Sequence, residues 1–142
     1  MSFDLALINS DLKIKADGSI RIAKDTNKLR QDVIKIILTP LGSVKFHQWY
    51  GSNINEGNIG QVPSDNMLFE NISTSISDSL EKLQTLQRAQ ATGQRVTLSE
   101  LISIIEDIGV QRSINDLRQV QVVVSILTRG LTKIDEVFAI RA

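Results

Sequence analysis

At 142 residues the chain is the size of one domain that buries its own core. Sixteen Lys and Arg offset sixteen Asp and Glu, so no net field draws in DNA, RNA or an anionic membrane, and the expected partner is another protein. The absence of cysteine excludes disulfide frameworks and thiolate metal sites and fits a reducing cytoplasm. The opening MSFDLALINSDLKIK has no basic segment followed by a long apolar run, and no window approaches the roughly eighteen apolar residues of a membrane span. We expect one soluble, unexported domain over residues 1–142.

In FDLAL, Phe3, Leu5 and Leu7 share one face, which predicts a short N-terminal strand. In DLKIKADGSIRIA, Leu12 and Ile14 alternate with Lys13 and Lys15 before Asp17-Gly18, and Ile20 and Ile22 alternate after it. That pattern predicts a β-hairpin closed by a tight primed turn. From Asp25 the period becomes helical through Leu29, Val33, Ile36 and Ile37, with Asp25, Thr26 or Asn27 as the cap. Pro40 disfavours helical geometry at Thr39 and stops this helix, and Gly42 turns the chain.

The glycine-rich connection GSNINEGNIGQVPSD leads into a long helix over 65–92, whose apolar stripe is Leu68, Ile72, Ile76, Leu80, Leu83 and Leu86. Its first half is rich in Ser and Thr, so packing rather than intrinsic propensity must hold it. Its centre, 72–83, is expected on the sheet and one end is left for a partner. Thr97 to Glu100 has capping-box spacing and predicts a third helix carrying Leu98, Leu101, Ile102 and Ile105 and stopping at Gly109. Period two then returns with Val120, Val122, Val124 and Ile126, followed by Ile134, Phe138 and Ile140, which predicts an antiparallel hairpin turning at Arg129-Gly130. The expected class is α+β: a small antiparallel or mixed sheet, made of the N-terminal strand and hairpin plus the C-terminal hairpin, packed against about three helices, one of them long.

Chemistry is sparse. The glycines of GSNINEGNIG match neither a P-loop nor a dinucleotide fingerprint. His47 has no second histidine or cysteine with which to share a metal. The pairs Glu106-Asp107, at the expected helix end, and Asp135-Glu136, across a strand, are adjacent in sequence, whereas glycoside hydrolysis needs carboxyls facing each other across a cleft. No catalytic residue, cofactor or metal is expected. Trp49 and Tyr50 are predicted to close the sheet at the end of the first helix, with Gly51 allowing the reversal and His47 at the rim.

The stretch RQDVIKIILTPLGSVKFHQWYGSNI, with Gln31, Leu38-Thr39, Gly42, Tyr50 and Gly51 in register, resembles the signature of the small baseplate wedge, or sheath-initiator, family of contractile phage tails, also called lysozyme-like wedge proteins and related to a baseplate component of type VI secretion. The chain departs from that pattern in having Ser43-Val44 where the family has Glu-Arg, and Gln48 where it has Pro. The resemblance implies a structural protein of the virion tail baseplate, in six copies, contacting wedge proteins, with tail tube or hub proteins nearby, and nucleating the tail sheath by strand exchange. The surface it implies is drawn from residues 119–128 (Val120, Val122, Val124, Ile126), 132–140 (Ile134, Phe138, Ile140) and 3–7 (Phe3, Leu5). A second reading of the same fold is an anti-adaptor that sequesters a protein partner. A third, a cell-wall hydrolase, rests on the lysozyme label alone.

Overall fold

The computed structural model describes residues 2–9, 11–54 and 64–141; the glycine-rich connection over 55–63 lies outside them. Its strands are β1 (Asp4–Leu5), β2 (Leu7–Ile8), β3 (Asp11–Leu12), β4 (Ile22–Ala23), β5 (Ile102–Arg112), β6 (Gln119–Thr128) and β7 (Lys133–Arg141), and its helices are α1 (Asp25–Leu38) and α2 (Asp65–Gly93). The class is α+β. Among the described residues there are two α-helices, not three, and the strands form separate small sheets rather than one. No helix among these residues is long and apolar enough to cross a membrane.

The main sheet has the order β5-β6-β7, antiparallel throughout. One face of it meets the helices: Val120, Val122, Val124 and Ile126 of β6, Ile102 of β5 and Ile134 and Ile140 of β7 join Leu29, Val33, Ile36 and Ile37 of α1 and the α2 stripe from Leu68 to Leu83 in one buried cluster. α2 begins as the sequence predicts, with Ser64 as N-cap accepting a hydrogen bond from the Met67 amide at 3.5 Å. α1 also ends as expected, with Thr39 extended before Pro40. Its start differs: Lys24 is the N-cap and makes no side-chain cap bond.

The predicted third helix is instead a single 3-10 turn, Leu98–Glu100, followed by the eleven-residue strand β5. Two bulges explain the misleading spacing. The register against β6 skips between Ile102 and Ile104 and again between Ile105 and Asp107, and each skip adds one residue to the strand. The side chains reaching the core are therefore Ile102, Ile105 and Ile108, spaced by three where an unbulged strand has two, before Val110 resumes the strand period; the first three imitate the turn of a helix. Thr97 does not cap a helix; its hydroxyl donates to the Asp25 carboxylate at 2.7 Å.

β5 is held to α2 by Gln87. Its side-chain amide donates to the Glu100 carbonyl at 2.9 Å and its carbonyl accepts from the Ile102 amide at 3.0 Å. Gln87 is buried where the sequence places an apolar stripe, and it satisfies two backbone groups at the point where the chain enters the sheet.

Both predicted turns are looser than expected. At the N-terminal hairpin only Gly18 has positive φ, and the bonds Gly18 N–H to Lys15 C=O (3.0 Å) and Lys15 N–H to Ser19 C=O (2.8 Å) enclose three residues. This is a three-residue loop whose glycine takes the left-handed position, but the expected hairpin stops at the Ile14–Ile20 bridge, beyond which the arms part, β4 pairing with β1 and β3 with β2. At the C-terminal hairpin Arg129, Gly130 and Leu131 form the loop between Thr128 and Thr132, and Leu131 occupies the left-handed position, at φ 61°.

Candidate docking surface

Gln31 occupies the middle of α1 and turns its amide to the N-terminal strands. Its nitrogen donates to the Leu5 carbonyl at 2.8 Å and to an Asp4 carboxylate oxygen at 3.0 Å, while its oxygen accepts from the Leu7 amide at 2.9 Å. Lys35, one turn on, pairs with the same Asp4 carboxylate. One glutamine thus stitches β1 and β2 to the helix, which gives the first position of the sequence signature a physical role. Burial would raise the Asp4 pKa, but hydrogen bonds from Lys35, the Leu5 amide and Gln31, with the charge of Lys35, hold it below the ordinary aspartate value. Burial raises that of Asp32, in spite of Lys28 at 2.7 Å.

The remaining signature residues close the end of α1. Thr39 turns its hydroxyl back to the Lys35 carbonyl at 2.6 Å. The chain then loops out through Gly42, at φ 80°, and returns so that Ser52 bonds both the Thr39 carbonyl (2.9 Å, through its amide) and the Ile37 carbonyl (2.6 Å, through its hydroxyl). These bonds satisfy carbonyls that a helix end leaves open. Gly51 makes the return possible: its φ is 114°, and a Cβ there would lie 2.5 Å from the Thr39 carbonyl oxygen. Leu38 is exposed beside this loop.

The aromatic cluster does not close the sheet. Tyr50 packs against the core beside Lys28 and Asp32 of α1 and Leu83 and Leu86 of α2, and Trp49 lies along Asp78, Lys82 and Leu86 of α2. Both rings lie over the helices because the loop folds back over the end of α1, and Tyr50 shares its concavity with Phe3 and Asp4 at the start of the chain. His47 stacks edge-on against Trp49 at a centroid distance of 5.8 Å, and burial together with the Asp32 and Asp4 charges raises the Tyr50 pKa.

The residues expected to receive a partner strand fall into three places. β6 is the central strand, paired on both sides, and Val120, Val122, Val124 and Ile126 are buried beneath the helices; they are core, with no backbone edge to offer. Among the described residues β7 is paired on one side only. Its Ile134 and Ile140 are buried and its Phe138 is half-buried on the same face. Thr128 donates to Thr132 at 3.0 Å across the turn, so by the alternation of an antiparallel ladder the even-numbered residues of β7 bond β6, and Lys133, Asp135, Val137 and Ala139 direct their backbone groups outward. The third place, the N-terminal layer, keeps Phe3 at 63% and Leu5 at 42% exposure.

Glu106 and Asp107 sit on β5, not at a helix end. Glu106 meets Lys133 at 3.3 Å, Asp135 accepts from Ser125 at 2.6 Å and Glu136 lies 3.9 Å from Arg30. Among the described residues no group of three or more His, Cys, Asp or Glu is placed to hold a metal ion. The long helix buries its stripe as far as Gln87, and residues 88–93 are exposed.

No protein-family model matches the chain, and no curated protein matches it. A solved structure does: the crystal structure of a candidate tail lysozyme from Geobacter sulfurreducens is similar with a TM-score of 0.59 over 80% of this chain and 86% of that one, at 11% identity. The α+β arrangement of this chain is therefore a fold that it shares with a tail-lysozyme structure.

Proposed function

We propose that this chain is a non-catalytic structural component of a contractile tail baseplate, present in six copies in the virion, which attaches to wedge proteins beside the tail tube or hub and nucleates the sheath by accepting a sheath strand along β7. The observation that carries the reading is the edge of β7, unpaired among the described residues, in a nine-residue strand with no register break against β6, in a fold shared with a candidate tail lysozyme. An unprotected, regular edge offers a row of unpaired N–H and C=O groups, and strand addition satisfies them with alternate side chains fixing register. The opposite edge, β5, is less suited, because its two bulges interrupt the ladder and the Gln84 amide donates to the Ile102 and Ser103 carbonyls at 3.3 and 3.2 Å. The signature residues around Gln31 and Gly51 support the family reading, and the exposed end of α2 supplies a surface for a wedge contact. Strand addition needs no catalytic group, and the Glu106 and Asp135 carboxylates are engaged between strands while that of Glu136 faces Arg30 of α1.

The test is to mix the purified protein with the sheath protein encoded beside it and follow sheath polymerisation. Val137→Pro removes one outward-facing N–H and leaves the β6 ladder untouched, so it keeps the fold, as circular dichroism will verify. Seeding by the wild type and its loss in folded Val137→Pro is the expected result. Undiminished seeding by the folded variant overturns acceptance along β7, and no seeding by the wild type overturns the sheath-initiator reading.

A further inference from the structure

A cleft of about 750 Å³ runs between the N-terminal β layer and α1, on the side where Gln31 joins them. Ile8 and Ile22 from the strands and Ile34 and Leu38 from the helix line it, and all but Ile34 are exposed large apolar side chains. Its volume is that of a site that holds several side chains. Uncovered apolar surface gathered in one concavity marks a docking site more than a solvated face.

Charge identifies what fits. In a chain with no net charge, the ionisable residues lining this cleft are Lys13, Arg21, Arg30 and Lys35, with no carboxylate among the lining residues. Lys35 is occupied by Asp4, and Arg30 has Glu136 at 3.9 Å. Lys13 and Arg21 have no carboxylate within ion-pairing distance among the described residues. They adjoin where the two arms part: the Arg21 amide donates to the Lys13 carbonyl at 2.8 Å, while Ala6 accepts from the Lys13 amide at 2.9 Å and donates to the Arg21 carbonyl at 2.8 Å. Two like charges brought onto one cleft wall repel each other, and an anionic group lying over both relieves the repulsion.

We infer that this cleft binds an apolar segment of a partner protein that carries carboxylates, with its apolar side chains on Ile22 and Leu38 and its carboxylates over Lys13 and Arg21. A bilayer is too flat to enter the cleft. A nucleic-acid strand takes its affinity from a basic field and stacking aromatics, and no aromatic residue lines the cleft. Arg30 of the cleft wall reaches Glu136 of β7, but the inference is separate from strand addition, which uses the outward backbone groups of Lys133, Asp135, Val137 and Ala139, none of which lines the cleft.

The probe is a random peptide library displayed on phage and selected on the intact protein. The expected result is enrichment of peptides with Asp or Glu beside Leu, Ile or Phe, whose binding falls by about tenfold or more in Lys13→Glu, the affinity equivalent of one lost charge-assisted contact. That variant places a carboxylate beside Arg21, so it folds at least as well as the wild type, which thermal melting will confirm. Arg21→Gln weakens binding less, and Lys45→Glu, outside the cleft, leaves it unchanged. Selected peptides without acidic residues, equal binding to Lys13→Glu, or displacement of the peptides by duplex DNA or phosphatidylglycerol vesicles would each overturn it.

Discussion

The two ends of this chain carry the same apolar alternation and meet opposite fates. In the C-terminal sheet, Val120, Val122 and Val124 are 0% exposed, because two helices lie across that face. In the N-terminal layer, Ile14 and Ile20 alternate just as regularly, yet they are 64% and 46% exposed, and strands β1 to β4 are each two residues long. Alternation states which side chains share a face, and burial is decided by whether another element arrives to cover it. One end is therefore the core that holds the fold, and the other is a layer fastened to α1 by a few polar side chains with its apolar residues still open.

The sharpest way to break this comparison is to truncate one apolar side chain in each region. Leu80→Ala, at a fully buried position on α2, is expected to cost about 2 to 5 kcal/mol, whereas Ile14→Ala in the open layer stays within about 0.5 kcal/mol, both measured by urea denaturation. Equal losses would mean that the N-terminal layer is as covered in solution as the core. The two stitching glutamines give the next contrast. Gln87→Leu strands the Ile102 amide and the Glu100 carbonyl, and a global loss of about 1 to 3 kcal/mol is expected. Gln31→Leu frees β1 and β2, and its effect of about 1 kcal/mol appears as faster hydrogen exchange at Leu7 and its neighbours with little change in the core.

Acid separates the regions as well. The folded state holds Asp4 below the ordinary value of 3.8, so this group's stabilisation is present above the unfolded pKa and is lost as pH falls through the folded one. The N-terminal amides are expected to lose exchange protection on acidification before those of β6 do, and Asp4→Asn abolishes that difference. The smallest expected change is a gain at the β6–β7 turn. Leu131 holds a left-handed conformation and is 83% exposed, so Leu131→Gly raises stability by about 0.5 kcal/mol, the relief of strain less the entropy of a freer chain.

Much of the fold is legible in particular residues. Ser64 and Pro40 mark the start of α2 and the end of α1, and the valines of β6 and Ile134 and Ile140 of β7 mark the hairpin. β5 was legible only as an apolar segment, since its bulges arise from pairing with β6 and turn a strand's spacing into a helix's. The docking surface was harder to read. The period that marked 119–128 and 132–140 is the same for a central and an edge strand, so only pairing assigns β6 to the core and β7 to the edge. Gln31 stood out in the sequence by resemblance alone, because a single polar residue on an amphipathic helix does not announce that its partner is the backbone of a strand 24 residues away.

The sequence by itself determined what is local: the start of α2 and the end of α1, which side chains share a face, the glycines at Gly18 and Gly51, and the absence of net charge. Tertiary structure alone decided strand order, the bulges of β5, the cover over Tyr50, and the meeting of Lys13 and Arg21 above an open apolar cleft. The physical reason is range. Caps, turns and periodicity act within a few residues, whereas an edge, a core and a cleft exist only once distant segments have packed, and chain position does not encode which face remains uncovered.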